Sequence, residues 1–449
     1  MKVKLIIPPS KFLIDEKVFP FLGILKVGES LKRNNIGVSC IDLSGIDKWQ
    51  DVIKKSLDNV DVVGITSTTP QIPEVVKIGI YIKKNFPKIK IIIGGSHVTM
   101  VYSSIKNGSN RCIESFEYLK SLFDKIVIGY GELAIIEAID ENNKEQIIDA
   151  ESSKKIKFSN EVYNQIPFPA RELIDLESYH YHIEGKKSTS LICQLGCPYN
   201  CNFCGGRQTD TYRKIRTRSV ETIIEEIDML VKNYNYRGFM FYDDEININD
   251  KIFKELLKKL IKYQQDNKVE LSFRGFTRAD LLTEEQAILM KLCGFKWLLV
   301  GFESGSNKIL KNMNKKTTVE QNTKVFKMAK RNNMKVKALM SIGHPGESLE
   351  TIKETSRWLL EVKPDEIDVT IVTLYPGSPY FDESVFDGEK WVYTTTGGDK
   401  LYSLDNDFLN GKYYYKSKQG EFSSYVFTEN LRQEEIIINR ELLANGKIK

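Results

Sequence analysis

Three cysteines, Cys197, Cys201 and Cys204, are separated by three and then two residues in Gly196-Cys197-Pro198-Tyr199-Asn200-Cys201-Asn202-Phe203-Cys204. Thiolates so spaced on one loop can reach three corners of a single metal cluster, and sulfur donors suit zinc or iron–sulfur chemistry. A fourth thiol, Cys193, closes a stretch that reads as a strand, so it is expected to carry the loop rather than to ligate. Structural zinc usually takes two Cys-x-x-Cys pairs or a Cys/His set. No second pair occurs in the chain, and Cys293 stands alone in a helical stretch. Three ligands on a four-iron cluster leave one iron open, and an open iron can bind a small molecule through amino and carboxylate groups.

The chain that positions this loop has 449 residues, 41% of them hydrophobic, enough for two or three domains with substantial cores. Its 65 basic and 60 acidic side chains are interleaved and leave a formal charge of +5. That balance makes no case for nucleic acid or a membrane surface as partner. Seven cysteines, four of them within twelve residues, in a chain whose start does not read as a signal peptide, favour metal over disulfides. No apolar run approaches the ~18 residues of a membrane span. A cytoplasmic location is expected.

Periodicity divides the chain. Short apolar strands at 3–7, 38–43, 60–66, 89–93 and 125–128 alternate with helical spacing at 23–32, 49–57, 73–85 and 133–139. This predicts a doubly wound parallel sheet over residues 1–141, an α/β fold whose ligands sit at the carboxyl ends of the strands. Those ends are small, hydroxyl-bearing or glycine-rich: Pro8-Pro9-Ser10, Ser67-Thr68-Thr69-Pro70, Gly94-Gly95-Ser96-His97 and Gly129-Tyr130-Gly131-Glu132. Singly each reads as turn chemistry; four together point to a large cofactor. The missing Gly-x-Gly-x-x-Gly argues against a dinucleotide.

Residues 142–187 lose the pattern and read as an ordered linker with Pro167 and Pro169. Its lone histidines, His180 and His182, are read as surface or packing residues. From 188 to 380 a second alternation gives strands at 188–193, 238–242, 271–275, 297–302, 336–342 and 367–374. Helices lie between them at 220–232, 252–264, 284–293, 319–332 and 349–362. Six units predict a partial parallel barrel with its chemistry on the loops after the strands, and the cysteines occupy the first of those loops. Residues 381–449, with Tyr413-Tyr414-Tyr415 and a closing helix at 433–445, read as a cap or substrate-side extension.

The Cys-x3-Cys-x2-Cys loop resembles the signature of the radical S-adenosylmethionine superfamily, in the form found in its cobalamin-binding branch. Further similar segments are Gly94-Gly95-Ser96-His97, Gly129-Tyr130-Gly131-Glu132, Asp243-Asp244, Arg278-Ala279-Asp280, Gly301-Phe302-Glu303-Ser304-Gly305-Ser306, Gly343-His344-Pro345-Gly346-Glu347 and Tyr375-Pro376-Gly377-Ser378. With Pro8-Pro9 and Phe21-Leu22-Gly23-Ile24-Leu25, which resemble the start of that branch's cobalamin domain, they cover residues 1 to about 380.

The resemblance implies a 4Fe-4S cluster on Cys197, Cys201 and Cys204 that cleaves S-adenosylmethionine reductively to methionine and a 5′-deoxyadenosyl radical. An external electron donor such as flavodoxin or ferredoxin would feed it. It places Phe203 near the adenine, Asp244 by the amino group, Arg278 near the carboxylate, and Glu303 with Ser304 near the ribose and methionine. From the residues alone, Asp243 and Asp244 have an alternative as caps of the following helix. Glu303 closes an apolar strand and wants a partner.

For cobalamin the resemblance implies contacts at Ser67, Thr68, Gly94, Gly95, His97, Gly131 and Glu132. No Asp-x-His-x-x-Gly segment offers cobalt a histidine, so the base is expected displaced and the corrin facing the barrel mouth. The expected activity is methyl transfer to an unactivated carbon of a small molecule or peptide. Ring formation, rearrangement or oxidation with the same cofactors is an alternative. Methylthiotransferases resemble the barrel too, but their N-terminal domain carries three further cysteines, where this chain has Cys40 and Cys112. A non-enzymatic cobalamin or cluster sensor is the remaining reading.

Overall fold

The structure, a computed structural model, describes residues 1–153, 156, 159–166, 168–404, 408–410 and 422–446. Pro167 and the Tyr413-Tyr414-Tyr415 run lie outside the described residues. No helix among them is long and apolar enough to cross a membrane.

The expected N-terminal strands form as β1 (Lys2–Ile7), β2 (Gly37–Asp42), β3 (Val62–Thr66), β4 (Lys90–Gly94) and β5 (Lys125–Ile128). A sixth, β6 (Ile147–Asp149), pairs parallel with β5 inside the stretch read as linker. Three residues are too few to show alternation, and an edge already in place supplies what local sequence does not. The order is β2-β1-β3-β4-β5-β6, every pair parallel. The chain reverses its direction of travel between β1 and β3, which opens a crevice at their carboxyl ends. Two helices, Ser96–Lys106 and Ile113–Leu122, fill the β4–β5 crossover where periodicity marks none. Serines and a threonine weaken the helical signal of the first, yet Val98, Val101 and Cys112 are wholly buried.

The second unit begins with the hairpin β7 (His182–Ile183) and β8 (Lys186–Leu191). A two-residue ribbon, β9 (Gln194–Leu195) with β10 (Arg216–Thr217), brackets the cysteine loop. Then come β11 (Gly238–Phe241), β12 (Ser272–Thr277), β13 (Phe295–Glu303), β14 (Lys335–Ile342) and β15 (Glu366–Ile371). The sheet runs β15-β14-β13-β12-β11-β8-β7: six parallel strands in chain order, with the hairpin strand at one edge. This is the six-unit partial barrel that the alternation predicts.

Each of the five crossover helices starts at a side chain that accepts the backbone N–H three residues on. These caps are Ser219, Asn249, Thr283, Thr318 and Ser348. Phe241 stacks on Phe273 and Phe295 at 5.5 and 5.7 Å in the layer under the helices. Alternation along β11 therefore turns Met240 and Tyr242 toward the concave side.

The remainder is an antiparallel sheet, β16 (Val385–Phe386), β17 (Trp391–Thr394), β18 (Lys400–Ser403) and β19 (Val426–Thr428), followed by the helix Gln433–Ala444. That helix lies against β15, where Arg440 Nε donates to Val369 O at 2.9 Å. The C-terminal unit thus closes the open edge of the barrel. At the other side the linker is pinned by a buried triad. Glu226 accepts from Arg171 at 3.0 Å and Arg218 at 2.5 Å, all three side chains 1% exposed. Arg171 and Arg218 also hold Ser190 O and Ile192 O, the end of the strand that leads into the cysteines.

Candidate active site

The cysteine loop is fastened at both ends. Asp243, just after β11, accepts from the backbone N–H groups of Cys193 and Gln194 at 3.0 and 2.5 Å, and Asp244 from Gly196 at 3.0 Å. Neither caps the following helix Asp250–Asn267, whose cap is Asn249. Gly196 has φ +86°, and a Cβ there would lie 2.2 Å from Lys214 O, so only glycine makes this turn. Farther on, Cys197 N donates to Tyr212 O and Asn202 N to Met313 O, both at 2.9 Å.

Cys201 is buried and Cys197 and Cys204 half-buried. Burial pushes the Cys204 thiol up to about 12 and raises Cys197, with the Arg207 guanidinium pulling both back. Arg207 is 3% exposed and holds the loop from below, donating to Cys197 O at 2.6 Å and Tyr212 O at 3.3 Å. Cys193, ahead of the loop, is wholly enclosed: burial and Asp243 hold its thiol well above the ordinary range against the pull of Arg218. Among the described residues no three His, Cys, Asp or Glu side chains converge as a single metal ion requires. A 4Fe-4S cluster asks for one thiolate per iron at separate corners, and the loop supplies that donor set with a buried cation beside it.

Charged side chains surround the mouth. Asp244 is solvent-accessible, yet desolvation raises its carboxyl against the pull of Arg207, as in a concave site. Burial pushes Glu245 up to about 7 despite Lys315 and Arg278, and its Oε2 has no hydrogen-bond partner. Arg278 covers the Tyr199 ring at 3.6 Å, donates to Lys315 O at 2.5 Å and pairs with Asp280 at 2.7 Å. Lys315 lies 3.3 Å from Glu303. Burial works against its charge, but Glu303, Cys201 and Glu245 hold the ammonium above its ordinary value. Phe203 meets the His344 ring edge-on at 5.5 Å.

Beyond the mouth lies a cavity of about 730 Å³ at the crevice between β1 and β3. Its floor is the glycine-rich end of the parallel sheet, with Gly64, Ser67, Thr68, Gly94, Gly95, Gly131 and Glu132 in the lining. Gly95 has φ +105°, and a Cβ there would sit 2.5 Å from Ser67 O. A Cβ on Gly64 would press on Leu5 at 3.0 Å. The roof is the segment Phe12 to Phe21, held by Asp15 to His180 at 2.7 Å and by Lys17 to Asp42. The far wall is the barrel itself, through Ser190, Ile192 and Tyr242. Glycines that let backbone approach and mostly apolar walls fit a broad flat ring such as a corrin. Among the described residues, no histidine, lysine, arginine or sulfur side chain is in the lining.

Around Cys197, Cys201, Phe203 and Cys204 the structure gathers Asp244 against Gly196, Arg278 against Tyr199, and Glu303 through Lys315. It does not bring all the expected residues. Ser304 is turned away: its hydroxyl faces Thr355 Oγ1 of the outer helix Leu349–Val362 at 3.2 Å and accepts from Ser306 N at 3.1 Å, because the backbone turns at Glu303 (φ +68°). His97 also leaves the site. It lies in the first turn of Ser96–Lys106, wholly buried, with Nδ1 3.2 Å from Thr69 Oγ1 and its ring edge-on to Phe408. Burial lowers its pKa to about 3, and Ser96 lines the cavity in its place. His180 and His182 are exposed. Arg207, Glu245 and Lys315 have no counterpart among the expected residues.

Residues 191–359 match the Radical SAM superfamily model. An uncharacterized methyltransferase of Pyrococcus horikoshii is 27% identical over 86% of this chain and 83% of its own. The anaerobic magnesium-protoporphyrin IX monomethyl ester cyclase of Rubrivivax gelatinosus is 25% identical over 93% of this chain and 76% of its own. In three dimensions, the radical S-adenosylmethionine methyltransferase TsrM of Kitasatospora setae, solved with cobalamin and a [4Fe-4S] cluster, superposes with a TM-score of 0.71. It covers 99% of this chain and 91% of its own at 16% identity, a likeness of fold.

Proposed function

We infer that this chain, which belongs to the radical SAM superfamily and has the two-domain fold of a cobalamin-binding member, is a C-methyltransferase acting on a small molecule or peptide. One observation carries the reading: the strand that walls the cavity is the one that leads into the cysteine loop. Ser190 of β8 and Ile192 just after it wall the cavity, and five residues after Ile192 the chain reaches Cys197. Cys197, Cys201 and Cys204 hold the cluster, and Asp244, Arg278, Glu303 and Phe203 surround S-adenosylmethionine. Ser67, Thr68, Gly94, Gly95, Gly131 and Glu132 bound the cobalamin. When bound, these groups supply the electron, the radical source and the methyl carrier.

The chain's own part is placement and shielding. Asp244 and Glu303 offer carboxylates to the cationic portion of the ligand, and Arg278 offers a fixed cation to its carboxylate. Arg207 lowers the cost of three thiolates in a buried loop. The segment Phe12 to Phe21 would shield a ligand seated in the sheet-side cavity from water. An acidic flavodoxin- or ferredoxin-type protein is the expected electron source.

The test is anaerobic reconstitution with cobalamin, a low-potential reductant and S-adenosylmethionine labelled in its methyl group. Bound corrinoid, 5′-deoxyadenosine and a labelled product are expected. Deoxyadenosine with an unlabelled product would favour ring formation, which the cyclase relative's 93% coverage of this chain keeps as the second reading. No deoxyadenosine at all would sink both.

A further inference from the structure

Glu303 ends β13 at φ +68°, in the left-handed region that strains a side-chain-bearing residue, and the β13–β14 register shifts between Gly301 and Glu303. Such a conformation persists only where the surroundings over-determine it. Two contacts hold the carboxylate: Oε1 lies 3.3 Å from Lys315 Nζ, and Oε2 accepts from Ser341 Oγ at 2.9 Å. A carboxylate facing an ammonium only accepts, so the single Ser341 hydroxyl hydrogen points at Glu303. Ser341 Oγ also meets His344 Nε2 at 2.7 Å. With its hydrogen committed, the hydroxyl must accept there, so His344 carries its proton on Nε2. Nδ1 is then an acceptor, and the Tyr380 hydroxyl at 3.2 Å is its donor.

The chain of bonds therefore has one direction, from Tyr380 through His344 and Ser341 to Glu303. His344 and Tyr380 are 0% exposed and Ser341 8%. Burial, aided by the Lys315 charge, lowers His344 to about 3 and keeps the imidazole neutral. At the far end Tyr380 N donates to Asn202 O of the cysteine loop at 3.0 Å, and the Tyr380 ring leans on Tyr393 of β17 at 4.8 Å.

We propose that His344 is a positioning residue: its Nε2–H, acting through Ser341, fixes the Glu303 carboxylate in the orientation that receives S-adenosylmethionine. A hydroxyl that accepts a hydrogen bond donates a stronger one, so the imidazole tightens the grip of Ser341 on the carboxylate. The functional half of this inference rests on the reading of Glu303 as a ligand contact; the direction of the chain does not.

The experiment compares His344→Gln, His344→Asn, His344→Phe and Ser341→Ala in the reconstituted enzyme. Gln returns an N–H donor near the Nε2 position, Asn returns one near Nδ1, and Phe returns none. His344→Phe, His344→Asn and Ser341→Ala should each raise the KM for S-adenosylmethionine about tenfold or more, with kcat for deoxyadenosine changed far less. His344→Gln should come back to within about threefold of the parent, and the Ser341→Ala/His344→Phe double variant should be no worse than either single. Thermal unfolding of the same set needs no cofactor turnover and should show the same non-additivity between Ser341 and His344. A Gln variant as poor as Phe, or additive losses in unfolding, would overturn the proposal. Failure of the parent enzyme to cleave S-adenosylmethionine, with the non-additive unfolding intact, would instead strike the functional reading and leave the directed chain standing.

Discussion

The cavity on the sheet and the surroundings of the cysteine loop recognise by different means. On the sheet side the lining is glycine, hydroxyl and aliphatic carbon with the one carboxyl of Glu132, which burial raises, and a ligand there meets mainly shape. On the barrel side Asp244, Glu245, Arg278, Glu303 and Lys315 surround the cysteine loop, and a ligand meets charge. The difference follows from how each face is built. A switch point in a parallel sheet brings backbone ends together, where small residues leave room. A barrel mouth gathers side chains from successive strands, each of which must find a counter-charge when buried. A large neutral ring suits the first, and a small zwitterion with an extra positive centre suits the second.

That contrast collapses if the thiols do not organise the mouth. Cys197→Ala, Cys201→Ala and Cys204→Ala should each abolish the iron–sulfur absorption and S-adenosylmethionine cleavage, the largest effects expected. Gly95→Ala comes next, forcing a Cβ to 2.5 Å from Ser67 O at a positive φ. Strain of about 1–3 kcal/mol should loosen corrinoid retention through desalting while the cluster absorption stays. Loss of both together would show that the faces are not independent.

Arg278→Lys tests the opposite face. A lysine cannot reproduce the stacked, two-partner guanidinium, so the KM for S-adenosylmethionine should rise about tenfold with corrinoid content unchanged.

Glu347 asks whether the buried acids of the barrel are charges or neutral props. It accepts from the Gly343 and His344 N–H groups, yet burial raises its carboxyl to about 7. Between its ordinary value and 7 the native state holds more protons than the unfolded chain, so this contribution to stability is full in acid and lost as pH rises through 7. Glu347→Gln keeps the acceptor and removes the titration. Its stability relative to the parent should climb between pH 5 and pH 8, by at most about 3 kcal/mol. Thermal unfolding at both pH values measures it. The smallest change belongs to Cys193→Ala: cluster retained, stability lower by about 1 kcal/mol for a buried thiol. Loss of the cluster there would add a fourth ligand.

What the sequence discloses follows the range of the interaction. The cysteine trio is local, eight residues from end to end of one loop, and its donor chemistry can be read directly. The alternating strands and helices are likewise local, and the six-strand barrel emerges from them. β6 has too few residues to show a pattern and exists because β5 offers an edge. Asp243 and Asp244 show where a distant partner decides: as neighbours of a helix they look like caps, but they bind backbone about fifty positions earlier. His344 takes its role from Ser341 and Glu303, and Glu303 lies 38 positions before Ser341 in the chain, beyond the reach of local pattern. His97 misled because Gly-Gly-Ser-His marks the end of a strand, whereas the phase of the helix starting at Ser96 turns the ring into the core.

The roof over the cavity bears on time rather than affinity. Asp15 to His180 and Lys17 to Asp42 tie residues 12–21 down across the opening. A guest beneath that roof leaves no faster than the segment lifts, however weak its individual contacts. Residence is then set by the contacts that hold this segment, the two ion pairs together with the Phe19 ring against Tyr181 and Tyr242.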